Sequence, residues 1–326
     1  MAGNFTRDYL LFPDGKVVND VKGGNVLFSA AGLKLWDSNI GLLGIVSEDY
    51  PAEWLQEAES WGFDTRGVQI TSDYFDQRRF IAYPTLDEPD LKNPIGHYSR
   101  VRKPFPKTLL GYTEYKNNHQ LENRNISIKI KDIPFDYLDV TAVHICPMDY
   151  NLQSRLPTFF RQGQATTITL QASNQYMNSI NGDVVPTILK DINAFICTEV
   201  QIKELFLGKT SNVWDMVADL DIYGCEIIVI VTQKNTFYLW DRSAKKKYEI
   251  PSYPTTIKDP TGQVESFCGG FISGLRSYQN PLKATLQGVI SSSFTVEGVG
   301  PFYCLDALPQ LASARVETLS NYVKVL

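Results

Sequence analysis

The chain has 326 residues, 43% apolar and 21% charged, with a formal net charge of −5. This is globular composition, sufficient for one large α/β domain or two smaller ones, and its mild acidity disfavours nucleic acid as a partner. The five cysteines (Cys146, Cys197, Cys225, Cys268, Cys304) are odd in number and form no Cys-x-x-Cys pair, which argues against a zinc site or disulfide framework and fits buried thiols in a reducing, cytoplasmic setting.

No basic-then-apolar targeting pattern opens the chain at Met1–Asp8. No apolar run reaches the length of a membrane span, so a soluble protein is expected. Tyr9–Phe12 is an apolar strand, Pro13-Asp14-Gly15 a turn, and Lys16–Val21 its hairpin partner. Lys22-Gly23-Gly24-Asn25 then opens a helix over Val26–Trp36, and the double glycine lets backbone lie against a ligand. Ile40–Val46 is a buried strand, Ala52–Trp61 a helix started by Pro51 and stopped by Gly62, and Val68–Ile70 begins another strand. Strand–helix alternation of this kind implies a parallel sheet.

Residues 72–135 break the pattern. Tyr74–Tyr83 reads as a strand and Pro84–Asn125 as a Pro-, Asn- and charge-rich insertion outside the main sheet. Its basic cluster (Arg100, Arg102, Lys103, Lys107) is expected to be a solvated face. Alternation resumes with strands at Val140–Ile145, Thr166–Leu170, Ala194–Ile196 and Glu226–Val231. Helices are read at Leu152–Gln162, Pro186–Leu189, Glu199–Leu207 and Val213–Asp221. Phe237–Asp241 and Lys246–Ile250 form an antiparallel pair at a sheet edge, with Lys245-Lys-Lys247 as charges that discourage edge-to-edge pairing. His144 and Asp149 lie near the C-terminal end of a strand, where open α/β sheets bind ligands. His97 and His119 have no metal-ligating neighbours in sequence. Helices over Pro281–Phe294 and Leu305–Leu319 close the chain, giving a doubly wound, mostly parallel sheet with helices on both faces.

One further stretch joins these elements. Asp259-Pro-Thr-Gly262 leads into an apolar helix in which Phe267, Phe271 and Leu275 share a face. A glycine turn feeding a helix N-terminus is a candidate anion site, and Gly269 and Gly270 leave room for backbone or ligand.

Taken together, Gly3–Asp8, Gly23-Gly24, Ile40–Asp49, Asp259–Phe271 and Ser293–Gly300 make the chain resemble the ribokinase-like (PfkB-type) carbohydrate kinases along almost its whole length. The resemblance implies an α/β core (1–8, 23–71 and 136–326), a small β lid (9–22 and 72–135) and pairing of lids in a homodimer. It also implies transfer of the ATP γ-phosphoryl to a hydroxyl of a sugar or nucleoside-like molecule, with Mg²⁺, and no zinc, haem or flavin. Glu265 would be the general base and Gly262, Gln263 and Val264 the anion hole. Asp8, Gly23, Gly24, Asn25 and Phe28 would meet the substrate, with His144 as a further candidate. Thr198, Thr232 and Gly269 would meet the nucleotide, and Glu199 the metal.

The sequence departs from the family at Gly262-Gln263-Val264-Glu265, where Gly-Ala-Gly-Asp is usual. It departs again at Thr198 and Gln201 in the magnesium motif, at the glycine-free turn Thr232–Thr236, at Gln171, which ends its strand without an aspartate, and at Phe28 in place of an asparagine. A binding protein without efficient transfer, a pseudokinase, is therefore the alternative expectation; an enzyme of another class using the same pocket is a more distant one.

Overall fold

The computed structural model describes residues 1–113, 127–234 and 236–326, so His119 lies outside the described residues. The chain begins inside its main sheet. Ala2 bridges Leu43 and Ile145 in parallel, and its N–H donates to the His144 carbonyl at 2.9 Å. It then leaves as β1 (Thr6–Leu11), returns as β2 (Val17–Gly23) and enters α1 (Asn25–Lys34). Next come β3 (Ile40–Ser47), α2 (Ala52–Ser60), β4 (Phe63–Thr71), β5 (Arg78–Thr85), β6 (Glu88–Asp90) and α3 (Pro94–Arg100). After the insertion the order is β7 (Ala142–Ile145), α4 (Tyr150–Arg161), β8 (Thr167–Gln171), α5 (Val185–Leu189), β9 (Ala194–Thr198), α6 (Glu199–Leu205), α7 (Val213–Asp221) and β10 (Ile227–Val231). The chain closes with β11 (Phe237–Asp241), β12 (Lys246–Ile250), α8 (Gln263–Tyr278), α9 (Pro281–Thr295), α10 (Pro309–Ser320) and β13 (Lys324–Val325).

The main sheet runs β13-β12-β11-β10-β9-β8-β7; the Ala2 bridges then join it to the parallel pair β3-β4. Strands β7 to β10 are parallel, and β11 to β13 antiparallel. Both faces are dry, which explains the unbroken apolar run of β10. Ile227, Val229 and Val231 pack into one core with α1, α8 and α9, while Ile228 and Ile230 pack into the other with α4 and α7. In the first core Phe267 stacks on Phe237 at 4.6 Å and on Phe271 at 5.8 Å; burying each ring contributes about 2 kcal/mol.

Residues 1–3 lie between β3 and β7, so the chain winds outward in both directions from this line. That is a topological switch point, and the space beyond the C-terminal ends of its strands is the crevice in which open α/β sheets bind ligands. Asn4–Asp8 rise directly from it.

A second sheet, β2-β1-β5-β6, stands over the crevice. One face (Tyr9, Leu11, Phe80, Ala82) is covered by Tyr98 and Leu109. The other (Leu10, Phe12, Ile81, Tyr83) meets Val299 of the core. The aromatic strand predicted from Tyr74 starts only at Arg78. Tyr74 is 60% exposed, but Phe80 and Tyr83 are buried within the chain and leave no surface for another copy to cover. The basic cluster of Arg100, Arg102, Lys103 and Lys107 is exposed, as expected, and His97 pairs with Asp90 at 2.8 Å. The predicted edge strand β12 is an inner one: β13 pairs with it at Tyr248–Val325 and Glu249–Lys324. Lys247 there lies over the Trp214 ring at 5.1 Å.

Candidate active site

The turn before α8 is shaped by two constraints on Gly262. Its φ is +78°, and a Cβ there would lie 2.1 Å from the Phe28 ring. Only glycine satisfies both. The Gln263 N–H donates to the Pro260 carbonyl at 3.2 Å, and the Ser266 N–H to the Gly262 carbonyl at 2.9 Å. The backbone N–H groups of Gly262, Val264 and Glu265 have no partner among the described residues. They combine with the positive end of a 16-residue helix, so the turn attracts anions. Asp259 holds the turn, accepting from the Thr261 N–H at 2.9 Å. Its Oδ2 is buried without a hydrogen-bond partner, and burial raises its carboxyl above the usual range.

Glu265 is the third residue of α8 and half-buried. Gln171, at the end of β8, donates from Nε2 to Glu265 Oε1 at 3.3 Å. The Cys268 thiol donates to Gln171 Oε1 at 3.7 Å, orienting the amide. The place where an aspartate was missed in the sequence thus holds a neutral donor aimed at Glu265.

Across the crevice, Asp8 and Arg79 are cross-strand neighbours on β1 and β5. Asp8 accepts from Thr6 Oγ1 at 2.6 Å and from Arg79 Nε at 3.0 Å and Nη2 at 2.5 Å. Gly23 has no room for a side chain, because a Cβ would lie 2.0 Å from Asp8 Oδ2. Gly24 (φ +105°) packs on the Asn4–Thr6 backbone. Asn25 accepts from the Asn4 N–H at 2.7 Å and donates to the Pro147 carbonyl at 2.7 Å. Asn25 therefore secures the chain where it leaves the sheet, and Phe28 backs Gly262. Tyr83 closes the lid onto the turn, its hydroxyl 2.8 Å from Thr261 Oγ1.

A third group forms at the ends of β9 and β10. Thr198 pairs with Val231 and caps α6 in a reciprocal box with Gln201. The Thr232 hydroxyl accepts from the Thr236 N–H at 3.0 Å. Glu199 meets Lys203 Nζ at 2.5 Å through one oxygen and the Gln233 N–H at 3.2 Å through the other. Burial opposes its ionisation most strongly of any one influence, but the Lys203 and Gln233 hydrogen bonds and the Lys203 and Lys234 charges together outweigh it, leaving its carboxyl below the usual range. Each Glu199 oxygen accepts one hydrogen bond, so a magnesium ion there would compete with Lys203 for the carboxylate, and no cluster of three His, Cys, Asp or Glu side chains suited to a metal is present among the described residues. Nearby, Tyr253, Thr255, Gln263, Ser293 and Val296 line a small cleft.

Two predicted site residues lie elsewhere. Gly269 is a packing position: a Cβ there would lie 2.0 Å from the Ser29 carbonyl on α1. The space it leaves is filled by backbone, not ligand. His144 is fully buried, 2.8 Å from Thr169 Oγ1. The sequence reading missed Arg79. Its only sequence signal is its spacing within β5, which puts it on one face with Ile81 and Tyr83.

No family model matches the chain. It is similar to a cytidine kinase of Thermococcus kodakarensis, 24% identical over 276 residues, which are 84% of this chain and 87% of that protein. Among solved structures, it resembles a fructokinase from Xylella fastidiosa with bound ATP (TM-score 0.70, 12% identity, 98% of both chains). It likewise resembles a ribokinase from Thermotoga maritima (TM-score 0.68, 14% identity, 97% of this chain and 98% of that one). A nucleoside kinase from Methanocaldococcus jannaschii gives a TM-score of 0.64 at 15% identity, over 97% of each chain. The chain has the ribokinase-like fold.

Proposed function

From this fold and crevice, we propose that the protein is a small-molecule kinase. It transfers the γ-phosphoryl of ATP to a hydroxyl of a sugar or nucleoside-like acceptor. One observation carries the reading: three unpartnered backbone N–H groups at the start of α8, with the Glu265 carboxylate in the same turn. Phosphoryl transfer needs positioning and charge stabilisation above all. The Gly262, Val264 and Glu265 N–H groups hold the transferring phosphoryl. Gln263 contributes less than its place in the motif suggests, because its N–H is engaged by Pro260. Glu265 takes the proton of the attacking hydroxyl, oriented by Gln171. Asp8 with Gly23 and Gly24 forms the acceptor side. Thr198 and Thr232 flank the phosphates, and the cleft at Tyr253, Ser293 and Val296 takes the base. Mg²⁺ would arrive on the nucleotide phosphates; no step is assigned to a protein-held metal.

A second reading rests on the engaged oxygens of Glu199 and on Val264, whose branched side chain crowds the turn. In it the crevice binds its ligands and transfers poorly, as a pseudokinase. Homodimerisation through the lid would use its remaining exposed apolar residues, among them Tyr74, Leu91, Ile95 and Leu110. No helix of the described residues is long and apolar enough to cross a membrane, which is compatible with a cytoplasmic protein.

Calorimetry with Mg·ATP, followed by a phosphorylation screen over sugars and nucleosides, separates the readings. Nucleotide binding with turnover supports the kinase, and binding without turnover the pseudokinase. No nucleotide binding at millimolar concentration overturns the kinase reading.

A further inference from the structure

The acceptor side of the crevice is built around a carboxylate whose bonding capacity is nearly spent. An ionised Asp offers about four acceptor positions. Three at Asp8 are filled, one by Thr6 Oγ1 and two by the Arg79 guanidinium. The Asp8 side chain is 1% exposed, whereas that of Arg79 is 33% exposed. A molecule entering the crevice therefore meets Arg79 before Asp8. Arg79 Nη1 has no hydrogen-bond partner among the described residues, so two N–H groups at that nitrogen remain to donate.

The surroundings keep that cation in place. Parallel pairing of β1 with β5 sets Asp8 opposite Arg79, and the absence of a side chain at Gly23 leaves the carboxylate its seat. The Glu265 charge also favours the guanidinium from the core side of the crevice. The other arginine at the root of β1 is committed elsewhere: Arg7 pairs with Asp20 at 2.6 Å and reaches Asp49 at 3.5 Å.

We propose that Asp8 and Arg79 act as one unit in which Arg79 is the specificity-determining residue. It selects acceptor substrates that present hydrogen-bond acceptor atoms to the lid, in a carboxylate, a phosphate or a ring carbonyl, over those that present hydroxyls alone. Two vicinal hydroxyls need two acceptor positions, and Asp8 has about one left. A carboxylate, phosphate or ring carbonyl instead matches the donors that Arg79 exposes. The inference rests on the reading that this crevice takes the acceptor, and it holds whether or not transfer is efficient.

The test is binding without nucleotide, by calorimetry, with gluconate, ribose 5-phosphate, cytidine and ribose as probes. The first three carry the three acceptor chemistries, and ribose carries no carboxylate, phosphate or ring carbonyl. At least one of them should bind about ten-fold or more tighter than ribose, and Arg79→Lys should erase that preference, because a point charge cannot replace the planar fork. Which probe is preferred identifies the chemistry read. Arg79→Met should do the same. Should that variant unfold because it strands a buried carboxylate, the Asp8→Asn/Arg79→Met double variant removes both charges and is measured instead. Ribose binding as tightly as the other three, a preference over ribose that survives loss of Arg79, or no probe binding at 10 mM (roughly the weakest affinity of interest) each overturns the proposal. Phosphorylation of ribose independent of Arg79 would sink this inference and leave the kinase reading standing. Selective, Arg79-dependent binding with no turnover on any acceptor would do the reverse.

Discussion

The hydroxyl of Tyr83 on lid strand β5 lies 2.8 Å from the hydroxyl of Thr261 in the turn before α8, and both side chains are buried. This bond joins the lid to the turn before α8 across 178 positions of sequence. Tyr83→Phe leaves the Thr261 oxygen buried without its partner, so it should cost about 1–3 kcal/mol. Tyr83→Phe/Thr261→Val removes both ends and should recover part of that loss. Urea unfolding of the four proteins of the cycle gives the coupling; additive effects would mean that the two hydroxyls do not depend on each other.

Glycines in this fold divide into those that admit backbone and those that only turn the chain. Gly269 belongs to the first kind, with a substituent's carbon 2.0 Å from the Ser29 carbonyl. Gly208 belongs to the second, with φ +80° and nothing within 4 Å. Gly269→Ala must push α1 from α8 and should cost about 3 kcal/mol or more. Gly208→Ala meets only the backbone penalty of about 1–2 kcal/mol. Thermal unfolding ranks them; equal losses would mean the α1–α8 seam yields easily.

These particulars show what the sequence does and does not disclose. The apolar run of β10 and the Phe267, Phe271, Leu275 spacing of α8 depend on local pattern, so strands and helices are legible. Gly269 shows a limit: a small residue announces space but not its occupant. Lys245–Lys247 shows another. Their strand is covered by β13, two residues long and far along the chain, which leaves no periodic signal. Arg79 went unnoticed because its meaning lies in register with Asp8, 71 positions away, and register between distant parallel strands is not written in either strand alone.

Glu265 offers a cleaner test of chemistry than of folding. Its side chain is half-buried, and its recorded side-chain hydrogen bond is the one from Gln171 at 3.3 Å. Glu265→Gln keeps the shape and removes the proton acceptor. Stability should change by less than about 1 kcal/mol, while any transfer found in the acceptor screen should fall by about 10²–10⁴-fold in kcat. Unchanged kcat in a folded variant would remove Glu265 from the role of base. A matching loss in unfolding free energy would make it a structural residue.

His144 makes stability depend on pH. Burial strips the imidazole of water and lowers its pKa from 6.5 to about 3. One ring nitrogen meets Thr169 Oγ1 at 2.8 Å, and Nε2 has no partner, so the folded protein holds the neutral ring. The unfolded chain takes up a proton near pH 6.5, and the folded one does so only near pH 3. With the folded value depressed, the stabilising contribution is complete above pH 6.5 and is lost progressively as pH falls toward 3. Each pH unit in that window removes about 1.4 kcal/mol, so the loss at pH 5 is about 2 kcal/mol. Urea unfolding at pH 7.5 and pH 5 (roughly one unit above and one and a half below the free imidazole value), on the native protein and on His144→Gln, isolates this contribution. The variant, which has no ring to protonate, should lose about 2 kcal/mol less between the two conditions. An equal loss in both proteins would show that His144 reaches solvent and titrates normally in the folded state.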